Sequence, residues 1–222
     1  AFIDTHCHLD LILPRLSKQS HSDAARAKAK GQEPPRRMNA DFEEWYQTLD
    51  GPEKDFEACV NIGCSASSLA IARSFLKHEK VYGAFGIHPL NAEQYTEEVE
   101  EKIVDLMSLD KVVAWGECGL DYFDKQTRGQ KQDMKERELQ RAVFARQIDL
   151  AVSMNKPLVV HTRFAEEDTL ELLDKHLPED HPVHVHCFTS SLGLANSLLE
   201  RFPALKIGFT GVITFKNAPE VQ

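Results

Sequence analysis

Long apolar runs, paired cysteines and a surplus of positive charge are all missing from these 222 residues. No run of about 18 apolar residues occurs, and the N-terminus lacks the basic, apolar and small-residue order of a secretory leader. The expectation is an intracellular protein, of nucleus or cytoplasm, with no membrane partner. Five cysteines, Cys7, Cys59, Cys64, Cys118 and Cys187, form no CxxC pair, and their odd number speaks against a secreted disulfide framework. Reduced thiols are expected, with Cys7, Cys118 and Cys187 at packing positions. A formal charge of -9 argues against broad, nonspecific coating of polyanions. Any phosphate contact has to be local.

Material for one sizeable core is present. Hydrophobic residues make up 42% of the chain, and its length suits a single domain over residues 1–222, taken as a monomer. Ala1 already lies inside a strand pattern and no initiator methionine precedes it, so the chain is expected to be part of a longer protein. Short apolar runs alternate with amphipathic stretches, the pattern of repeated strand-helix units. Strands are expected at Phe2 to Cys7, Ala58 to Ile62, Tyr82 to Gly86, Val112 to Glu117, Pro157 to His161, Val183 to His186 and Lys206 to Phe209. Ser67 or Ser68 would cap a helix carrying Leu69, Ala72, Leu76 and Lys77, and Gln140 to Met154 shows an apolar face of Val143, Phe144, Ile148, Leu150 and Ala151. Further helices fit Glu166 to His176 and Ser191 to Arg201. The strand spacing suits an α/β fold, a (β/α)8 TIM barrel whose eighth strand is not in the chain, so that the C-terminal part of the barrel is expected to be missing.

One segment breaks the pattern. Residues 17–40, polar and low in apolar content, read as a mobile loop inserted after the first strand. Between Arg15 and Arg37 seven bases (Arg15, Lys18, Arg26, Lys28, Lys30, Arg36 and Arg37) face two acids (Asp23 and Glu33), a local charge of +5 opposite in sign to the whole. On the rim reached by the first strand such a segment could hold a phosphate backbone; a solvated insertion is the plainer account.

Five residues at or just past the ends of apolar runs carry metal-ligand chemistry: His6 and His8 in FIDTHCHLD, Glu117 in VVAWGECGLDY, His161 in PLVVHTR and His186 in VHVHCF. In a barrel of parallel strands all five converge on one rim, where such folds keep their chemistry. His6 and His8, two apart on a strand, put both imidazoles on one face. The mixed nitrogen and oxygen set suits Zn or Mn better than Mg. Five ligands exceed what one catalytic cation with an open position needs, so two divalent cations (Zn, Mn or Mg) bridged by Glu117 is the economical arrangement. Any one of these histidines could be a satisfied core residue; all of them at strand ends argue otherwise.

Nearby residues add weaker signals. His88, in GAFGIHPL, is placed to hydrogen-bond a substrate oxygen or else to cap the chain locally. Arg163 and Asp121, soon after ligand positions, suit a phosphate clamp and an orienting partner, with surface ion pairing as the alternative. His184 shares a face with His186 one layer deeper and is expected to be buried and hydrogen-bonded. His21, His78, His176 and His181 carry no assignment.

Six blocks, DTHCHLD, GIHP, GECGLDY, QIDLAVSMNKPLVVHTR, HCFTSSL and GFTGVITFKNA, resemble in this order those of the TatD family of metal-dependent deoxyribonucleases. Only residues 17–40 lie outside the resemblance. It implies an amidohydrolase-type barrel, a two-metal centre and hydrolysis of DNA or RNA phosphodiester bonds, commonly as a 3′ exonuclease, in DNA repair or nucleic-acid turnover. By matching motifs, His6 and His8 would hold the first metal, Glu117 would bridge, and His161 and His186 would hold the second; Glu117, His88 and Arg163 are the residues expected to act in catalysis. Family members carry a further metal-binding aspartate in an ETDxP motif on the eighth strand, the usual candidate base, and the chain ends before that point.

Two rival readings share these features. The same ligands would serve an amidohydrolase-type hydrolase of lactones, amides or phosphoesters, although Glu117 stands where a carboxylated lysine would bridge. A noncatalytic nucleic-acid adaptor using the basic segment would need no metal.

Overall fold

The computed structural model describes residues 1–33, 39–49, 55–127, 129–130, 133–216 and 218. Seven strands, β1 (Phe2–Cys7), β2 (Phe56–Gly63), β3 (Val81–Phe85), β4 (Val112–Asp121), β5 (Leu158–Arg163), β6 (Val183–Val185) and β7 (Leu205–Ile207), lie in one sheet in sequential order. Every neighbouring pair is parallel. The connections carry helices α1 (Leu9–Ala29), α2 (Phe42–Tyr46), α3 (Ser68–Ser74), α4 (Glu97–Met107), α5 (Met134–Ser153), α6 (Glu166–His176) and α7 (Leu192–Arg201). Side chains of Thr96, Asp133 and Ser191 accept hydrogen bonds from the first-turn N–H groups of α4, α5 and α7, satisfying donors that have no partner inside the helix.

The sheet is curled. A flat sheet would hold β1 and β6 about 24 Å apart, five spacings of roughly 4.8 Å. Instead the rings of His6 on β1 and His186 just after β6 stack with centroids 3.8 Å apart. Parallel strands must bury both faces, and two apolar layers do so. Ile62, Ala84, Ala114 and Val159 pack inside the curl. Outside it, Phe85, Trp115 and Leu158 meet Ile103, Phe144, Ile148 and Leu173 from the helices. The N-terminal half of α1 joins Cys7, Phe42, Phe56, Cys59 and Val81 in a smaller cluster under the first two strands.

Strands β4 and β5 run past their expected ends at Glu117 and His161, pairing Leu120 with Thr162 and Asp121 with Arg163. This extension carries Asp121 to the rim. Residues 17–29 are helical and not a loop, because α1 continues to Ala29. Their polarity misled: alanine, lysine and arginine are strong helix formers that need no wide apolar stripe, and Leu9, Leu13 and Ala24 suffice to dock the helix. Arg15, Lys18, Arg26 and Lys28 are therefore helix residues, while Arg36 and Arg37 lie outside the described residues. The five cysteines are free thiols. Cys7 and Cys118 are buried as expected, but Cys187 is only half-buried, with φ +46 where the chain turns sharply away from His186.

Candidate metal centre

Strand β1 delivers His6, β4 delivers Glu117, and the residue after β6 is His186. Glu117 Oε2 lies 2.9 Å from His6 Nε2 and 2.8 Å from His186 Nε2. Its other oxygen, Oε1, lies 3.9 Å from His8 Nε2 and 3.8 Å from His88 Nε2. Beside this group, His161 Nε2 is 3.2 Å from Asp121 Oδ2, and the His88 and His161 rings are 4.4 Å apart. Two constellations result, His6 with Glu117 and His186, and His88 with Asp121 and His161, each with potential ligand atoms within 4.8 Å of one another.

Unpartnered atoms show what the first group suits. Glu117 Oε2, His186 Nε2 and both ring nitrogens of His6 are buried without a hydrogen-bond partner, so the short approaches lie off hydrogen-bonding directions. Each orphaned buried polar group costs about 1–3 kcal/mol. Ligands about 2.1 Å from one cation stand roughly 3 Å apart, close to the separations found here. The residues fit a divalent cation.

Protonation states agree. Burial alone would push the Glu117 carboxyl up, but the close approach and charge of His186 and His6 hold it well below the ordinary carboxylate range. Burial pushes His186 down to about 4, against the raising effect of Glu117. Burial and the neighbouring His161 push His88 down to about 4, and burial lowers His8. Burial would raise Asp121, but hydrogen bonds from His161 and from the Phe123 N–H hold it below its usual value. Near neutral pH the carboxylates are ionised while His8, His88 and His186 are uncharged, the state that cation binding requires.

His88 is a donor in this arrangement. The Leu90 N–H donates to its Nδ1 at 3.1 Å, so the neutral ring carries its proton on Nε2, which faces Glu117. Asp121 and His161 are the other two members of the second constellation.

Three buried carboxamides hold the strand ends. Asn61 Oδ1 accepts from the N–H of Leu9, next to His8, at 2.8 Å. Gln147 Oε1 accepts from the N–H of Ile87, next to His88, at 2.8 Å, and its Nε2 donates to the Ile87 carbonyl at 3.1 Å. Gln140 grips Asp121 in the same way, at 2.9 Å and 3.1 Å. Both glutamines lie on α5, two turns apart on the face turned to the sheet. Gly116 and Gly119 shape the strand that carries Glu117. Both have φ +141; a Cβ on Gly116 would stand 2.6 Å from Val159 O, and one on Gly119 would collide with His161 O.

His6, His8, Glu117, His161 and His186 lie on one rim; the tightest grouping of ligand atoms joins His186 to His6 and Glu117, and the His161 and His186 rings stand 5.4 Å apart. Arg163 lies over the Phe123 ring, 3.7 Å from its centroid, close enough to Asp121 to lower that carboxyl. His184 is half-buried below the rim and forms no ring hydrogen bond among the described residues, contrary to expectation; its ring occupies space beside Gly208 that is open only because glycine has no side chain, since a Cβ there would collide with His184 Nε2. His78 is buried against Glu43 at 2.7 Å. The carboxamides were missed; their one trace in the sequence is two glutamines seven apart on an otherwise apolar helix face.

A curled parallel sheet with histidines and carboxylates gathered at the C-terminal strand ends is the arrangement on which TIM-barrel metal-dependent hydrolases are built. Comparison with known proteins narrows the class. The model of the TatD-related DNase family matches residues 3–222, and the chain belongs to that family. It is 37% identical to the human 3'-5' RNA nuclease TATDN2 over 100% of this chain and 26% of the human protein. It is 34% identical to the Bacillus subtilis uncharacterized metal-dependent hydrolase YabD over 73% of this chain and 60% of YabD. The crystal structure of YjjV, a TatD homologue from Escherichia coli K12, matches with a TM-score of 0.68 at 26% identity, covering 98% of this chain and 71% of YjjV. The chain therefore spans about a quarter of the human relative's length. Among the described residues no helix is long and apolar enough to cross a membrane.

Proposed function

We propose that this chain carries the active site of a nuclease that hydrolyses phosphodiester bonds of DNA or RNA with two divalent cations, acting from the 3′ end. The observation that carries the reading is the meeting of His6, Glu117 and His186 beside Asp121 and His161, with buried lone pairs left unpartnered. Similarity to a human protein named as a 3'-5' RNA nuclease favours RNA and that polarity.

When bound, the cations would make a water nucleophilic near neutral pH and neutralise phosphate charge. His6 and His186 would hold one of them, with Glu117 Oε2; Asp121 and His161 would hold the other. Glu117 would be shared between them, and its Oε1 is turned toward His8 and His88. His88 donates a hydrogen bond from its Nε2–H to a phosphate oxygen, a role that its neutral state and its Nδ1 contact support. Arg163 supplies positive charge to a flanking phosphate.

The test is digestion of end-labelled single- and double-stranded DNA and RNA with Mg, Mn or Zn, alongside a chelator control. Stepwise shortening from the 3′ end with at least one metal, and none with chelator, is expected. Glu117→Ala and His161→Ala should abolish cleavage with unchanged circular dichroism. Full activity in both variants would sink the reading, and turnover restricted to lactones or amides would replace it with the small-molecule hydrolase.

A further inference from the structure

The strands that deliver Asp121 and His161 run on into two phenylalanines. The Phe123 and Phe164 rings stand with centroids 5.4 Å apart, tilted by 39°, and the Arg163 guanidinium covers Phe123 at 3.7 Å. Phe164 is 46% exposed. Its φ of +55 lies in the left-handed region, which a bulky side chain enters only at a cost, and strain of this kind gathers at functional sites. Gln130 Nε2 donates to the Phe164 carbonyl at 2.7 Å, tying down this backbone. Burial therefore does not account for the ring: a strained main chain presents it to solvent.

We infer that Phe164, backed by Phe123 and Arg163, is a stacking subsite for one nucleobase of single-stranded nucleic acid beside the hydrolysed phosphodiester. The inference rests on the nuclease reading above. Phe123 follows Asp121 by two residues and Phe164 follows His161 by three, extended reaches of at most about 7 Å and 10 Å. A base adjoining the reacting phosphate falls within that range. The local charge at the ring favours the base over its backbone, because Glu166, Glu167 and Asp168 open α6 directly behind Phe164. Arg141 pairs with Asp168 at 2.6 Å, but Glu166 and Glu167 still disfavour phosphate there and leave Arg163 for the flanking one. An uncharged aromatic ring meets no such penalty, and every base offers a face for stacking. Bases inside a duplex are already stacked, so the subsite favours single strands and frayed ends.

The experiment uses the Glu117→Gln chain, in which cleavage is blocked, and fluorescence anisotropy of short labelled RNAs. Phe164→Ala should weaken binding of intact single strands about 5- to 100-fold, Phe164→Trp should restore it, and thermal midpoints should match. In strands carrying a single abasic nucleotide moved through the 3′-terminal positions, one position should erase the effect of Phe164→Ala. A 2-aminopurine at that position should be quenched by the chain with Phe164 intact, which keeps the test valid should Phe164→Ala fail to fold. Equal weakening of intact and all abasic strands, or 2-aminopurine unquenched at every position, overturns the subsite. Strands that bind normally while Phe164→Ala changes nothing overturn it and leave the nuclease reading standing; absence of both nucleic-acid binding and cleavage by the parent chain with every metal overturns both.

Discussion

Replacing Gln147 by leucine removes a side chain of similar volume and strands three buried groups. Its carboxamide serves the Ile87 N–H at 2.8 Å, the Ile87 carbonyl at 3.1 Å and the Trp115 Nε1–H at 3.2 Å. Gln147, Ile87 and Trp115 are each 0% exposed, so no water reaches the groups left behind. A buried donor or acceptor deprived of its partner costs about 1–3 kcal/mol. Three such losses, with some relaxation of the Ile87 carbonyl, come to roughly 3–6 kcal/mol, a large part of the roughly 5–15 kcal/mol that holds a typical domain together. Urea unfolding followed by tryptophan fluorescence reads the loss directly, since Trp115 lies in contact with the substitution. Gln147→Glu keeps an acceptor for Ile87 and Trp115 and can donate to the Ile87 carbonyl only when protonated, so it should fall between the parent and Gln147→Leu and lose stability as the pH rises. A Gln147→Leu chain less than about 1 kcal/mol weaker than the parent would refute the claim that these bonds hold the strand end beside His88.

Gly119→Ala should destabilise by about 3 kcal/mol or more, because the added methyl enters the space of the His161 carbonyl on a backbone with φ +141; an unchanged thermal midpoint would contradict the close β4–β5 approach. In chelator, His88 and His186 bind protons near pH 6.5 when unfolded but only near 4 when folded. Their contribution to stability is full above about pH 6.5 and is lost as the pH falls toward 4, by about 3 kcal/mol for each. Urea midpoints that stay level across that window would show that the two rings are not buried uncharged. Adding a divalent cation at one hundred times its dissociation constant should raise stability by about 2.7 kcal/mol, and Glu117→Ala should remove that gain, as calorimetry with Mn or Zn would show.

Much of this architecture is legible in residues close together in the chain. Apolar runs of strand length, broken by helix-forming stretches, mark the seven strands because burial on both faces of a parallel sheet demands them. His6 and His8 declare a common face through the two-residue period of a strand. Polar composition without apolar periodicity is a poorer guide: it hid the second half of α1, where propensity and a few buried contacts were enough to form helix.

What local pattern determines is which residues end strands; which of those meet is decided by the curl of the sheet. His6 and His186 stand 180 positions apart in the chain and stack at 3.8 Å, while His161, far nearer to His186 in sequence, pairs instead with Asp121. The roles of Asn61, Gln140 and Gln147 likewise exist only once the main-chain groups they bind have been carried to them. Propensity and hydrophobic period act between near neighbours and so are written in the sequence; the convergence of a rim depends on twist and packing summed over every strand, and appears only in the folded chain.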